Sequence, residues 1–225
     1  MIAGVDWFEG SWLAVVEDAA GEITVQRVSA FTDLLRRPDL ETLVIDVPIG
    51  LPDRGARVCD LQARKAIRPR GSSVFPAPIR PVLGARSQAE ASQIRYAIEG
   101  KRCSAQAYAI YPIVADVDRQ MSPEAQRRIR EGHPELSFAG MNGGAGLQWP
   151  KRSDEGRRER IHHLAPYFET LSAHVDSIEP RRAVIDLLDA FAMLWTARRV
   201  RSGRAVSLPD LPEYDARGLC MEIVA

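Results

Sequence analysis

The sequence predicts an α/β fold: a mixed five-stranded sheet flanked by helices, with a helical insertion near residues 52–130. Three observations point there. Three short apolar runs follow one another at the start, separated by tight turn signals. A fourth apolar run returns after a short amphipathic stretch, as a parallel crossover strand does. Beyond it, helical periodicity dominates. With 225 residues, 45% of them hydrophobic, the chain is long enough to bury a full core as a single domain.

The first strand covers residues 2–7, and Gly10-Ser11 turns tightly into the second at 12–17. Asp18-Ala-Ala-Gly21 turns again into residues 22–28, whose alternation suits a half-exposed edge strand. Residues 30–37 read as one or two helical turns stopped by Pro38. Residues 42–47 form a continuous apolar strand, as when both faces are covered. Residues 52–86 are rich in Pro, Gly and Arg. Ser87-Gln-Ala-Glu90 is a capping box for a helix ending at Gly100, a second helix covers 104–117 with Pro112 inside it, and Ser122-Pro123 opens a third that ends near Gly132. A fifth strand is expected at 132–138. Helices are expected at 153–171 and 180–200, a loop at 207–212 and a closing strand at 218–224.

Composition excludes some functions. The formal net charge is zero, so nothing demands a polyanionic partner or a membrane surface. Only three of the 30 basic residues are lysine (Lys65, Lys101, Lys151), a bias that a GC-rich genome explains. Three widely spaced cysteines with no C-x-x-C indicate neither a disulfide framework nor a zinc site. No apolar run approaches membrane-spanning length, and the expectation is a soluble cytoplasmic chain with no membrane partner.

Chemistry is concentrated in the carboxylates. Asp6 closes the apolar opening Met1-Ile-Ala-Gly-Val-Asp6, and Asp46 interrupts the second buried run, Thr42-Leu-Val-Ile-Asp46. A charge rarely sits in such a place unless it is paired or binds a metal. On the apolar last helix, Asp186 and Asp189 are three apart and share a face, with Cβ atoms about 5–6 Å from one another. Four such acids suit Mg2+ or Mn2+, which take hard oxygen ligands and serve phosphate chemistry. Glu135, after His133-Pro134, is a further candidate from the fifth strand, and His133 a candidate proton donor. Asp60 between Arg57 and Arg64 reads as an ion-pair rung, with phosphate contact by either arginine the alternative. Ser73 lies in a proline-stiffened loop suited to shaping a pocket. Lys151, Arg152, Arg157, Arg158 and Arg160 make a locally basic stretch that Asp154, Glu155 and Glu159 dilute.

Several runs carry a resemblance: Gly4-Val-Asp6 with Ser11-Trp12, Ile45-Asp46-Val-Pro-Ile-Gly50, Arg57-Val-Cys-Asp60-Leu-Gln-Ala-Arg64, Ser73-Val-Phe-Pro-Ala-Pro78, His133-Pro-Glu135 and Asp186-Leu-Leu-Asp189-Ala. Together they resemble domain-of-unknown-function family 429, described as predicted nucleases of the ribonuclease H-like fold. The resemblance implies a metal-dependent nuclease acting on nucleic acid, with Asp6, Asp46 and Asp186 or Asp189 as metal ligands. Related resolvases carry a glutamate on the fourth strand, where this chain has the shorter Asp46. The rival reading is a nucleotide-binding phosphotransferase related to sugar kinases and actin-like ATPases. Those need two matched halves, and the chain has room for one plus an insertion. A non-catalytic binding module on the same fold is the third reading.

Overall fold

The computed structural model describes residues 1–225. Strands β1 (Ile2–Phe8), β2 (Ser11–Glu17) and β3 (Ile23–Val28) form an antiparallel meander. Gly10, at φ 83°, closes the first hairpin in a conformation that costs glycine alone little. Helix α1 (Phe31–Leu35) carries the chain to β4 (Thr42–Ile45), which returns parallel to β1 with Val5 opposite Ile45. β5 (Ile129–Glu131) adds parallel to β4, so the order is β3-β2-β1-β4-β5. The result is the expected α/β mixed sheet flanked by helices, consistent with a ribonuclease H-like arrangement.

Between β4 and β5 run α2 (Val58–Ala66), α3 (Gln88–Glu99), α4 (Ala105–Gln120) and α5 (Pro123–Gln126). After β5 come α6 (Pro134–Met141), α7 (Asp154–Leu164), α8 (Leu171–Ser177) and α9 (Val184–Arg201). The chain ends in a hairpin of β6 (Ser207–Tyr214) and β7 (Cys220–Val224), which forms its own two-stranded sheet. No helix is long and apolar enough to cross a membrane.

Side chains alternate across a strand, and that sets the two faces of the sheet. Ile2, Phe8, Leu13, Val15 and Val44 pack with the apolar residues of α9. Ala3, Val5, Ala14, Val16, Leu43 and Ile45 pack on the other side with Phe31, Leu34, Val114 and Val117 of α1 and α4. Gly4 lets α9 lie against β1: a Cβ there would stand 2.0 Å from the Leu194 nitrogen and 2.2 Å from the Ala190 oxygen. By the same alternation Asp6 follows Gly4, and Asp46 follows Val44, onto the α9 face.

Several expectations are corrected. The fifth strand lies at Ile129–Glu131 rather than 132–138, and the helix opened by Ser122 stops at Gln126. Residues 134–141 are helix because Pro134 takes the first helical position and His133 caps it, its Nδ1 accepting from the Glu135 N–H at 3.2 Å. Glu135 therefore comes from a helix, not a strand. The expected helix at 153–171 ends at Leu164: Ala165 still has helical geometry and bonds back to the Ile161 carbonyl, but Pro166 has no N–H to continue the ladder, and α8 follows separately. At the start of the last helix, Arg181–Ala183 form a tight 3-10 turn before Val184. The expected loop at 207–212 is strand β6, an edge able to tolerate Pro209 and Pro212. Pro112 does not break α4, which runs on to Gln120.

Candidate active site

The carboxylates are brought together by the ends of the parallel strands. Asp46 follows β4 directly, and its N–H donates to the Val5 carbonyl at 3.1 Å, extending the ladder to the residue beside Asp6. Asp6 and Asp46 thus stand on adjacent strands, on one face, beneath α9. Asp189 comes down from α9 and is 1% exposed; Asp186, one turn earlier, is half-buried. Lys151, in the loop between α6 and α7, reaches into this group and donates from Nζ to Asp189 Oδ2 at 2.7 Å.

The Lys151 loop is held from α7. Glu159 accepts from the Gln148 and Trp149 N–H groups at 2.9 and 3.0 Å, and Ser153 caps the helix through the Gly156 N–H. Arg160, fully buried, donates to the Gly156 carbonyl and to Glu135 Oε1, tying α7 to α6. Glu135 Oε2 has no partner, nor has Asp189 Oδ1.

Crowded carboxylates in a low-dielectric place resist ionisation. Burial, then the charges of Asp46 and Asp189, hold Asp6 well above the ordinary carboxylate range, with Lys151 opposing. Burial pushes Asp46 up to about 7 against the pull of Lys151, with Asp189 and Glu135 adding to the rise. Asp186 is pushed up to about 6 by burial and by Asp189. Lys151 moves upward because Asp189 first, and then Asp6 and Asp46, stabilise its charge. Burial pulls His133 below its usual value, in keeping with the neutral imidazole that its capping bond requires.

A cavity of about 240 Å3 opens over the C-terminal ends of β4 and β5 and is walled by Asp46, His133, Glu135, Lys151 and Asp189 on one side. Ligands of open α/β sheets bind outside these strand ends. On its other side stand Arg57, Asp60, Ser73, Phe75 and Glu131. The family model for DUF429, a protein family of unknown function, matches residues 4–214. The chain belongs to that family. No curated protein and no solved structure matches it.

The matched region contains every carboxylate of the site. The donor set suits a hard cation, being all oxygen, and the unpartnered Asp189 Oδ1 offers a lone acceptor to one. Yet no three histidine, cysteine, aspartate or glutamate side chains are grouped so that they could hold a metal ion. The residues fit a cation by their chemistry, and the cation they hold in this structure is the Lys151 ammonium.

Not every predicted site residue joins this group. Asp6 and Asp186 meet the other acids but do not line the cavity. Arg57 lines it with its guanidinium engaged: Nη2 donates to Glu131 Oε1 and Asp60 Oδ1, both at 2.6 Å, and Nη1 to Glu131 Oε2 at 2.7 Å. Asp60 in turn accepts from the Ala77 N–H at 3.0 Å. Of the expected rung, the Arg57–Asp60 pair is present with Glu131 as its third member, while Arg64 takes no part in it. Ser73 lines the cavity while its hydroxyl donates to the Arg70 carbonyl at 2.7 Å. Arg64 lies outside it, donating to the Val74 carbonyl at 2.8 Å.

Sequence reasoning missed Lys151 and Glu131. Lys151 carried a signal, as one of three lysines in an arginine-rich chain. Glu131 carried none, because the strand that holds it is only three residues long.

Proposed function

We propose that the protein is a metal-dependent nuclease that hydrolyses a nucleic-acid phosphodiester. One observation carries the reading: carboxylates from β1, β4 and α9 converge on a single ammonium at the end of a cavity over the parallel strands. An apolar packing role would not assemble four acids in one place, three of which (Asp6, Asp46 and Asp186) are raised by burial and by neighbouring carboxylates.

No three of the acids are grouped as metal ligands while the Lys151 ammonium stands among them; with it turned away, Asp6, Asp46 and Asp189, with Asp186, would close up to hold Mg2+ or Mn2+. Such an ion supplies positive charge for a phosphoryl oxygen and lowers the pKa of an attacking water. Asp46 and Asp189 face the cavity and receive the substrate side of the site. Lys151, 42% exposed in its side chain, is free to turn its ammonium from Asp189 to a phosphate oxygen. Glu135 Oε2, buried and unpartnered, accepts a proton-bearing group, a water or a sugar hydroxyl, from the cavity. His133 is held neutral by its cap and orients the start of α6, which carries Glu135.

The test is cleavage of single- and double-stranded DNA and RNA, a hybrid and a branched junction, with magnesium, manganese or chelator. Cutting should require the metal and should vanish in Asp6→Asn. Wild-type turnover by that variant would overturn the site assignment, and absence of cutting on every substrate would overturn the nuclease reading.

A further inference from the structure

A second, open cavity lies beside the first. Its walls are Leu61, Arg64, Lys65, Arg68, Pro69 and the Gly71-Ser72 pair, with no acidic residue among them. Half of the 30 basic residues form ion pairs, and Arg64, Lys65 and Arg68 are three neighbours at one helix end that belong to none. Lys65 and Arg68 are exposed, and Arg64 is fixed by its bond to Val74. In a chain with zero net charge, three unpaired cations on one concavity mark a place for phosphates.

The wall between the two cavities is one short segment. Gly71 and Ser72 face the basic cavity, while Ser73, Val74 and Phe75 line the acidic one. Neighbouring Cα atoms are about 3.8 Å apart, so the cavities adjoin. At the rim stands Phe75, a large apolar side chain left 54% exposed at the mouth of a polar cavity. A ring in that position offers a face to an unpaired base, whereas a paired base has its own neighbours to stack on. The cavity itself adds a constraint. Asp189 is 1% exposed, so the reacting phosphate must enter a space of about 240 Å3, which an unpaired strand does more readily than a duplex.

We propose that the basic cavity of Arg64, Lys65 and Arg68, together with Phe75, is the docking track for a single-stranded nucleic acid, delivering its backbone over the Gly71-Ser72-Ser73 wall to the carboxylates. The inference rests on the nuclease reading and deepens it by naming the form of the substrate. Lys65 and Arg68 neutralise successive phosphates, Arg64 stiffens the wall, and Phe75 stacks on the base next to the reacting phosphate.

Binding is measured in chelator, where it is independent of cleavage. Fluorescein-labelled single-stranded DNA and RNA, and the same sequences as duplexes, are titrated with the full chain by fluorescence anisotropy at several salt concentrations. Wild type should prefer the single strands. Lys65→Glu/Arg68→Glu should weaken binding about tenfold or more and flatten the salt slope by about 1.4, or 0.7 for each lost phosphate contact. Phe75→Ala should cost about fivefold or more in affinity with the salt slope unchanged, since base–aromatic stacking is uncharged. All three positions are exposed, and a circular-dichroism melt confirms that the variants fold. Equal affinity for duplex and single strand, or unchanged binding in the variants, would overturn the inference while leaving metal-dependent cutting untouched. Strand binding that depends on these residues, without cutting under any metal, would sustain the track and sink the nuclease.

Discussion

Arg57 and Asp6 show how differently two buried charges behave at the scale of a residue. Arg57 sits between Glu131 and Asp60, and its proton is held above the ordinary arginine value because those charges outweigh the burial that opposes them. Removing it strands two carboxylates in the interior, and breaking such a buried group costs about 3–5 kcal/mol. Arg57→Met should lose that much in urea unfolding; a loss below 1 kcal/mol would mean that solvent reaches the group. Asp6 is the reverse case. Three of its neighbours are acids, and the Trp7 N–H, donating to Oδ1 at 2.7 Å, and the Lys151 charge do not offset them and the burial. Asparagine keeps that acceptor and removes a charge from the crowd, so Asp6→Asn should match or exceed the wild-type urea midpoint while losing activity. A site that is less stable than it need be is common where function requires the charge.

Among the elements, the pairing of β1 with α9 decides whether a site exists. The two backbones touch at Gly4, and the contact sets how far Asp189 reaches toward Asp6. Gly4→Ala inserts a methyl against the helix backbone at 2.0–2.2 Å, which the neighbours cannot relieve by changing rotamer. We expect a loss of about 3 kcal/mol, the upper end of ordinary overpacking penalties, together with lost cleavage. Gly84→Ala is the matched control: a Cβ there meets nothing within 4 Å and its φ is not positive, so it should be neutral or slightly stabilising. Equal effects of the two substitutions in a thermal melt would remove the β1–α9 contact from the account. The Lys151 loop is the other deciding element, since Glu159 and Arg160 of α7 hold it in place from a helix that otherwise reads as solvated.

For the whole molecule, the acid cluster couples stability to pH. Asp46 and Asp186 have folded-state values near 7 and 6, above the ordinary carboxylate value. The folded state therefore holds more protons than the unfolded one through this range, and the contribution is full below about pH 4 and lost as pH rises through 6 to 7. The raised value of Lys151 acts only in the alkaline region. His133, lowered by burial, works the other way, gaining stability as pH rises through its usual value. A comparison isolates the carboxylate: the Tm of Asp46→Asn, minus that of wild type, should become more positive from pH 5 to pH 8. A constant difference would show that Asp46 does not titrate in this window.

The order of the first four strands, the acids that close β1 and β4, and the polar–apolar alternation of β3 were legible in the sequence because each is local: turn residues, side-chain period and a charge where none is favoured. The Asp186–Asp189 pair was legible for the same reason, since three residues of helix put two side chains on one face. The capping of α3 by Ser87, through the Glu90 N–H at 3.2 Å, and its stop at Gly100 were equally local. The fifth strand was not legible, because β5 is short and is a strand only through its pairing with β4. Glu131 shares that uncertainty, and Glu135 reads as a strand residue although the His133 cap and Pro134 put it in the first turn of a helix. The tertiary structure alone decided that Lys151 faces the carboxylates, that Arg57 is closed by two acids, and that the basic cavity adjoins the acidic one. Each of these joins residues far apart in the chain, and no local period or propensity encodes the meeting of side chains whose positions are set by packing.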